Sequence, residues 1–329
     1  MTIQLAYQDL AAKLCDIYEH REAANIADMI IEHVTGQRKI DRITFKGFSI
    51  NPEQQKLLAK YTNELLTHKP IQYVLGEAWF MGMKLRVNEN VLIPRPETEE
   101  LVDWIIKDIQ LEEPKSLSLL DIGTGSGCIP ISVKKNVPDI SVFAVDISEE
   151  ALQLASINAI EQHVLIDFLR LDFLDEKEWV QARKYDIIVS NPPYIQQGEE
   201  ATMNKNVLDY EPHIALFVPD EDALLFYKAI AKFGIHHLNE NGTVYVEINE
   251  ASGDLVVQLF RENGYTEIEL KKDMQGKDRM VKAKKTVSHS IHLNYTSKAN
   301  SSLYLNNGNF THSNFYTKNS GWYHTYFSR

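Results

Sequence analysis

The chain has 329 residues, of which 44% are hydrophobic and 24% charged, the balance of a globular protein long enough for two domains and a sizeable core. Its net charge of −12 argues against a general nucleic-acid binder, because neutralising phosphates supplies most non-specific affinity, and it suits a cationic small-molecule ligand. No apolar run approaches the roughly 18–20 residues of a membrane span, and Cys15 and Cys128, far apart in sequence, read as reduced thiols of a cytoplasmic protein without zinc-site spacing.

Residues 1–75 predict a small all-helical domain. Ile3, Leu5, Leu10, Leu14 and Ile17 recur near helical spacing, with charged residues between them and no cleavable leader. A second helix carries Ile26, Met29, Ile30 and Val34 and stops at Gly36. A third has Asn51 as N-cap and Pro52 at its first position, and ends before Pro70. At residues 76–94 the period changes: Phe80, Met81, Leu85, Val87 and Val91 to Ile93 among turn residues predict a hairpin linker. A helix with an acidic first turn follows in "RPETEELVDWIIKDI".

Residues 95–285 alternate strand and helix. Strands are expected at "LSLLDIG", "SVFAVDI", "IDFLRLDF", "YDIIVSN" and "GTVYVEI". Helices are expected at "GCIPISVKKN", "SEEALQLASINAI" with Ser148 as cap, and "DALLFYKAIAKFGIHHL", and a closing strand pair at "YTEIEL" and "RMVKAKK". Such spacing implies right-handed crossovers and a mostly parallel sheet whose ligands bind at the carboxyl ends of the strands. Residues 286–329 contain no Asp or Glu but seven Asn, eight Ser, four His and five Tyr; that polar tail without period reads as a disordered extension or an artefact of cloning or reading frame.

The first chemical motif is "LLDIGTGSGCI". A strand delivers Asp121, and the turn Gly123-Thr124-Gly125-Ser126-Gly127 lets backbone approach a ligand closely before a helix begins. The pattern falls short of the dinucleotide fingerprint, because Cys128 stands where its last small residue belongs. Asp146 ends the next strand, placed to accept from two ribose hydroxyls. Asp172 and Phe173 end the third strand, where an acceptor for an exocyclic amine and an aromatic wall for a purine are expected, with a core ring as the alternative for Phe173. A nicotinamide dinucleotide needs a pyrophosphate at the helix N-terminus. Asp121 would repel that group and suits an ammonium, so the loop points to S-adenosyl-L-methionine.

The second motif is "IIVSNPPYI", with Asn191 at the end of the fourth strand. An amide or exocyclic amine nitrogen is a poor nucleophile because its lone pair is delocalised. The Asn191 side-chain carbonyl can accept one N–H of such a group and the Pro192 carbonyl the other. Pro192 and Pro193 stiffen the loop, and Tyr194 offers a flat surface for a planar amide or base. A glutamine amide and an adenine amine both satisfy this chemistry.

The motifs "KPIQYVLGEAWFMGMKLRVNENVLIPRPETEELV", "LLDIGTGSGCI", "VFAVDIS", "LDF" and "VSNPPYI" together resemble the bacterial release factor N5-glutamine methyltransferases of the PrmC/HemK type, over roughly residues 1–284. The resemblance implies an α/β fold: a seven-stranded Rossmann-like class I methyltransferase domain, with the helical N-terminal domain docking class 1 peptide chain release factors. It implies transfer to the glutamine of their Gly-Gly-Gln loop, with Gly123 to Gly127, Asp146, Phe173 and Asn191 on adenosylmethionine and Asn191 to Tyr194 on the glutamine. A ribosomal-protein glutamine keeps the chemistry and changes the acceptor. An adenine-N6 DNA methyltransferase would need a basic groove and a target-recognition region, which residues 1–75 do not offer.

Overall fold

The runs at Ser118–Ile122, Ser141–Asp146 and Tyr185–Ser190 are apolar on both faces, and such strands are stable only where helices cover both sides of a sheet. A computed structural model, which describes residues 1–44, 47–112 and 116–286, has them at the centre of a seven-stranded sheet. The expected tail lies outside the described residues.

The first part is helical: α1 (Ile3–Leu14), α2 (His20–Thr35), α3 (Lys39–Thr44), α4 (Pro52–Leu66) and α5 (Ile71–Leu75). Asn51 and Gln54 form a reciprocal capping box at the start of α4, and α2 ends on Gly36 in the left-handed conformation. Leu10, Leu14, Ile30, Ile31 and Leu65 make the bundle core. Helices α3 and α5, of six and five residues, are too short to show a period and are not among the elements expected from the sequence. The hairpin is β1 (Glu77–Phe80) and β2 (Met83–Arg86), with positive φ at both Met81 and Gly82 in the turn. Val91 and Ile93 lie beyond it in an irregular, buried segment.

Helix α6 (Pro96–Glu112) leads into β3 (Ser118–Ile122), α7 (Cys128–Asn136), β4 (Ser141–Asp146), α8 (Glu149–Glu161), β5 (Asp167–Arg170) and β6 (Tyr185–Ser190). An insert holds β7 (Ile195–Gln196), α9 (Lys205–Leu208) and β8 (Phe217–Val218). Then come α10 (Leu225–His237), β9 (Leu238–Glu247), α11 (Gly253–Glu262), β10 (Thr266–Lys272) and β11 (Asp278–Lys284). Helix α11 is not among the expected elements, although Val256 and Phe260 stand four apart on its buried face.

The strand order is β10-β11-β9-β6-β3-β4-β5. The inner pairs are parallel, and β11 joins β9 and β10 antiparallel. From β3 the chain winds outward through β4 and β5, then returns to the other side of β3 as β6. The winding therefore reverses between β3 and β6, and a crevice opens at the carboxyl ends of these strands. Ile122 pairs with Ser190, whose buried hydroxyl donates to the Ile122 carbonyl at 2.7 Å, so the two strands end in fixed register.

Asn158, on α8 and 1% exposed, ties the hairpin to this crevice. Its Oδ1 accepts from the Arg86 N–H at 2.7 Å, and its Nδ2 donates to the carbonyls of Arg86 and Ser126 at 3.0 and 2.9 Å. Asn158→Ala strips partners from three backbone groups and is expected to cost about 2–4 kcal/mol. The measurement is chemical denaturation, and an unchanged midpoint would show that the bridge contributes nothing.

Candidate active site

Beyond Ile122 the chain turns at once. The N–H groups of Gly123 and Thr124 both donate to the Val145 carbonyl, at 2.9 and 3.0 Å, which binds the loop to the end of β4. Gly127 has φ +79°, and a Cβ there would stand 3.0 Å from Ile131 Cδ1 and 3.1 Å from Ala155 Cβ. Only glycine allows both that backbone and the close approach of α7 to α8. The Asp146 carboxylate braces the turn, Oδ2 accepting from the Gly125 N–H at 2.8 Å and Oδ1 from the Ser148 N–H at 3.0 Å. Burial raises its pKa, and these backbone donors oppose the shift.

A cavity of about 260 Å³ lies over this turn. The structure brings Gly123, Thr124, Gly125, Ser126, Asp146, Asp172, Phe173, Asn191, Pro192 and Pro193 onto its wall. Strand β5 stops at Arg170, so Asp172 and Phe173 occupy the turn after the strand rather than its end. Asp172 Oδ1 accepts from the Leu174 N–H at 3.0 Å. Phe173 lines the cavity and also packs against Trp179 and Phe233, with ring centroids 5.4 and 5.2 Å away, so the wall and core readings both describe it.

Three sequence-predicted residues are off the wall. Gly127 sits behind the turn as the packing glycine. Asp121 is completely buried just beneath it. Tyr194 leans away from the cavity toward the core, and its hydroxyl donates to Glu247 Oε1 at 3.3 Å; a half-buried phenol takes the nearest buried carboxylate rather than an exposed position.

The residues that sequence reasoning missed come from distant segments. Thr98, on the first turn of α6, lines the cavity, and its hydroxyl donates to Glu247 Oε2 at 2.6 Å. Asn191 Nδ2 donates to the same Thr98 oxygen at 3.0 Å. Arg95 also lines the cavity and pairs with Glu211 Oε1 at 2.5 Å, while Glu211 Oε2 accepts from the Ile93 N–H at 3.1 Å. The signal for Glu247 was a lone carboxylate inside the apolar run "TVYVEI". Thr98 and Glu211 carried none that is local.

Two carboxylates are held far from their ordinary range. Burial pushes Asp121 up to about 7, and Asp146 nearby adds to it. Neither Asp121 oxygen, nor the Thr124 hydroxyl, has a hydrogen-bond partner. The Thr124 hydroxyl is near enough to ease the charge without meeting hydrogen-bond geometry. Burial likewise pushes Glu247 up to about 7 against the pull of Thr98, Arg279 and Tyr194. Burial also pushes the Cys128 thiol to about 12, which removes it as a nucleophile at neutral pH.

Residues 6–76 match the family model described as PrmC N-terminal domain, and residues 105–209 the one described as methyltransferase small domain. The release factor glutamine methyltransferase of Flavobacterium psychrophilum is 44% identical over 270 residues, covering 82% of this chain and 94% of that protein. Its counterpart from Bacteroides thetaiotaomicron is 44% identical over 270 residues, covering 82% and 95%. That from Streptococcus pneumoniae is 46% identical over 230 residues, covering 70% and 80%. The chain belongs to the release factor glutamine methyltransferase family.

The enzyme is thus an adenosylmethionine-dependent methyltransferase. Its residues fit that molecule: a buried carboxylate with no protein donor beneath a glycine turn suits a ligand that brings a positive charge. Ligand-free Asp121 is protonated below about pH 7. A cationic ligand favours the ionised carboxylate, so binding must release that proton at low pH. Affinity for adenosylmethionine is therefore expected to be full above pH 7 and to fall as pH drops through it, by up to about tenfold per unit. Asp121→Asn is expected to flatten this profile and to weaken binding at pH 8 by about tenfold, the counterpart of one pKa unit of interaction. Calorimetric titration between pH 5.5 and 8.5 reads both effects, and a pH-independent wild type would refute the assignment.

Proposed function

We propose that the enzyme transfers the methyl group of adenosylmethionine to the side-chain amide nitrogen, N5, of the glutamine in the Gly-Gly-Gln loop of class 1 peptide chain release factors, in the cytoplasm. The reading is carried by one observation: Asn191 stands on the cavity wall beside the glycine turn, its Nδ2 donating to Thr98 and its Oδ1 accepting no hydrogen bond among the described residues. The names of the relatives, 44% identical over nearly their whole length, support the acceptor protein.

Adenosylmethionine supplies an electrophilic methyl group on a sulfonium centre. Gly123 to Gly127 and Asp121 would hold its amino-acid end, Asp146 its ribose, and Asp172 and Phe173 its adenine. Asn191 Oδ1 would accept one N–H of the glutamine amide and the Pro192 carbonyl the other. That fixes the amide plane and leaves the nitrogen's face open. Pro192 and Pro193 lose little freedom when the acceptor arrives, since their rings already restrict the loop. Tyr194 supports the clamp from behind, through Glu247.

Among the described residues no histidine lines the cavity and Glu247 is 1% exposed behind Thr98, so none of them beside Asn191 serves as a strong base. Placement of two reactants in line supplies about 7–11 kcal/mol, against about 3–5 kcal/mol for general base catalysis. Positioning carries the larger share, and the proton leaves to water after transfer. The helical part would dock the release factor; Leu5, Met29, Ile40 and Ile43 are exposed apolar residues on α1 to α3. No nucleic-acid partner is needed.

Incubation with labelled adenosylmethionine is expected to label a release factor, and to leave ribosomal proteins, DNA and a release factor with Gln→Ala in the Gly-Gly-Gln loop unlabelled. Label on DNA, or on the Gln→Ala substrate, would sink the proposal. Asn191→Ala is expected to lower turnover by more than about 100-fold, as loss of an oriented contact does, while adenosylmethionine still binds.

A further inference from the structure

Glu247 closes the carboxyl end of β9, the strand beside β6, between buried Val246 and Ile248. Its side chain reaches no solvent, and a buried carboxylate survives only with donors around it. Thr98 from α6 donates to Oε2 at 2.6 Å, and Tyr194 from the loop after β6 donates to Oε1 at 3.3 Å. Tyr227 from α10 donates to the Glu247 backbone carbonyl at 3.1 Å, and Arg279 from β11 adds positive charge nearby. All this polar machinery stands behind the Asn191 amide on the cavity wall.

The order of donors fixes the direction of the chain of bonds. A threonine hydroxyl has one proton, and above about pH 7, where Glu247 is ionised, its carboxylate can only accept. The Thr98 proton therefore goes to Glu247, and the Thr98 oxygen can only accept from what faces it on the other side. Asn191 meets that requirement by presenting Nδ2 at 3.0 Å. Turned over, its carbonyl oxygen would oppose the lone pairs of Thr98. The carboxylate thus decides, two hydrogen bonds away, that an acceptor and not a donor faces the cavity.

We propose that Thr98 and Glu247 are positioning residues for methyl transfer: through the Thr98 hydroxyl, the Glu247 carboxylate holds the Asn191 amide with its NH2 turned into the protein and its carbonyl toward the acceptor. This rests on the clamp role given to Asn191 above and extends it to a residue pair that acts on the acceptor through Asn191. The device suits a weak nucleophile. An asparagine free to rotate would spend half its time offering N–H groups to the N–H groups of the acceptor, a repulsive arrangement.

The test compares Thr98→Val, which keeps shape and loses the hydroxyl, with Thr98→Ser, which keeps the hydroxyl. Thr98→Val is expected to lower kcat toward a release factor by about 10- to 100-fold, the range for losing a hydrogen bond to a charged group, with KM for adenosylmethionine within about threefold. Thr98→Ser is expected to recover most of kcat; a purely structural role would not separate kcat from KM, or the two variants from each other. A second reading needs no substrate. In protein labelled with 15N-asparagine, and assigned with Asn191→Ala, the Asn191 side-chain amide protons are expected to exchange with solvent at least about tenfold faster in Thr98→Val, since a protected donor opens. Equal kcat and equal exchange in wild type and Thr98→Val would overturn the proposal. If Asn191→Ala abolishes transfer while Thr98→Val does not impair it, this inference alone fails; if Asn191→Ala transfers normally, the clamp reading fails and takes this one with it.

Discussion

The pairing of β3 with β6 is the contact on which the rest of the molecule depends. These strands are neighbours because the chain winds one way through β4 and β5 and then returns to the opposite side of β3. Their register sets Ile122 against Ser190, locked by the Ser190 hydroxyl. One residue further along each strand stand Gly123 and Asn191, the start of the glycine turn and the amide of the proposed clamp. A shift of one position would turn Asn191 to the other face of the sheet, because side chains alternate along a strand. The two halves of the site are therefore adjacent by backbone hydrogen bonding, before any side chain is considered.

Around that crevice the protein keeps three carboxylates away from water, and each is balanced differently. Glu211 has Arg95 and a backbone N–H, and so acts as a strut between the insert and the segment before α6. Glu247 has hydroxyl donors and nearby Arg279. Asp121 has no hydrogen-bond partner at all. Burying a charge without a donor opposes folding, and such groups persist where a ligand completes them. The gradient from satisfied to unsatisfied runs from the rim of the crevice to the floor beneath the glycine turn, where the positive charge proposed for the bound ligand would complete it.

The helical part and the insert bear on the same crevice through single residues. Tyr210, in the insert, donates its hydroxyl to the Thr67 carbonyl at the end of α4 at 2.8 Å, one residue before Glu211 reaches Arg95. Ile214 and Ala215 of the same insert line the cavity. Contacts with the helices and with the cleft are thus carried by six consecutive residues of one segment, 210–215, and none of them follows from a sequence period. The long connection after β6 has little regular structure because its work is done by individual side chains at fixed points.

Much of the architecture was written in the sequence because it depends on short-range rules. Short continuous apolar runs marked the central strands and an apolar period of 3.6 residues the longer helices, and Asn51, Gly36 and Ser148 marked helix ends. The glycine turn and the Asn-Pro-Pro-Tyr break announced themselves because backbone freedom and its loss are properties of single residue types. The helices α3 and α5, of six and five residues, escaped because they are shorter than two helical turns, and the ten-residue α11 escaped as well. Tyr194 was read as a surface for the acceptor because nothing local foretold that Glu247 would draw its hydroxyl inward. Asn191, Thr98 and Glu247 show the division most clearly. The sequence alone determined that an amide stands at the end of a strand. Which way that amide faces was decided by Thr98, 93 positions before it, and by Glu247, 149 positions from Thr98, and only the fold brings their hydrogen bonds to 3.0 and 2.6 Å.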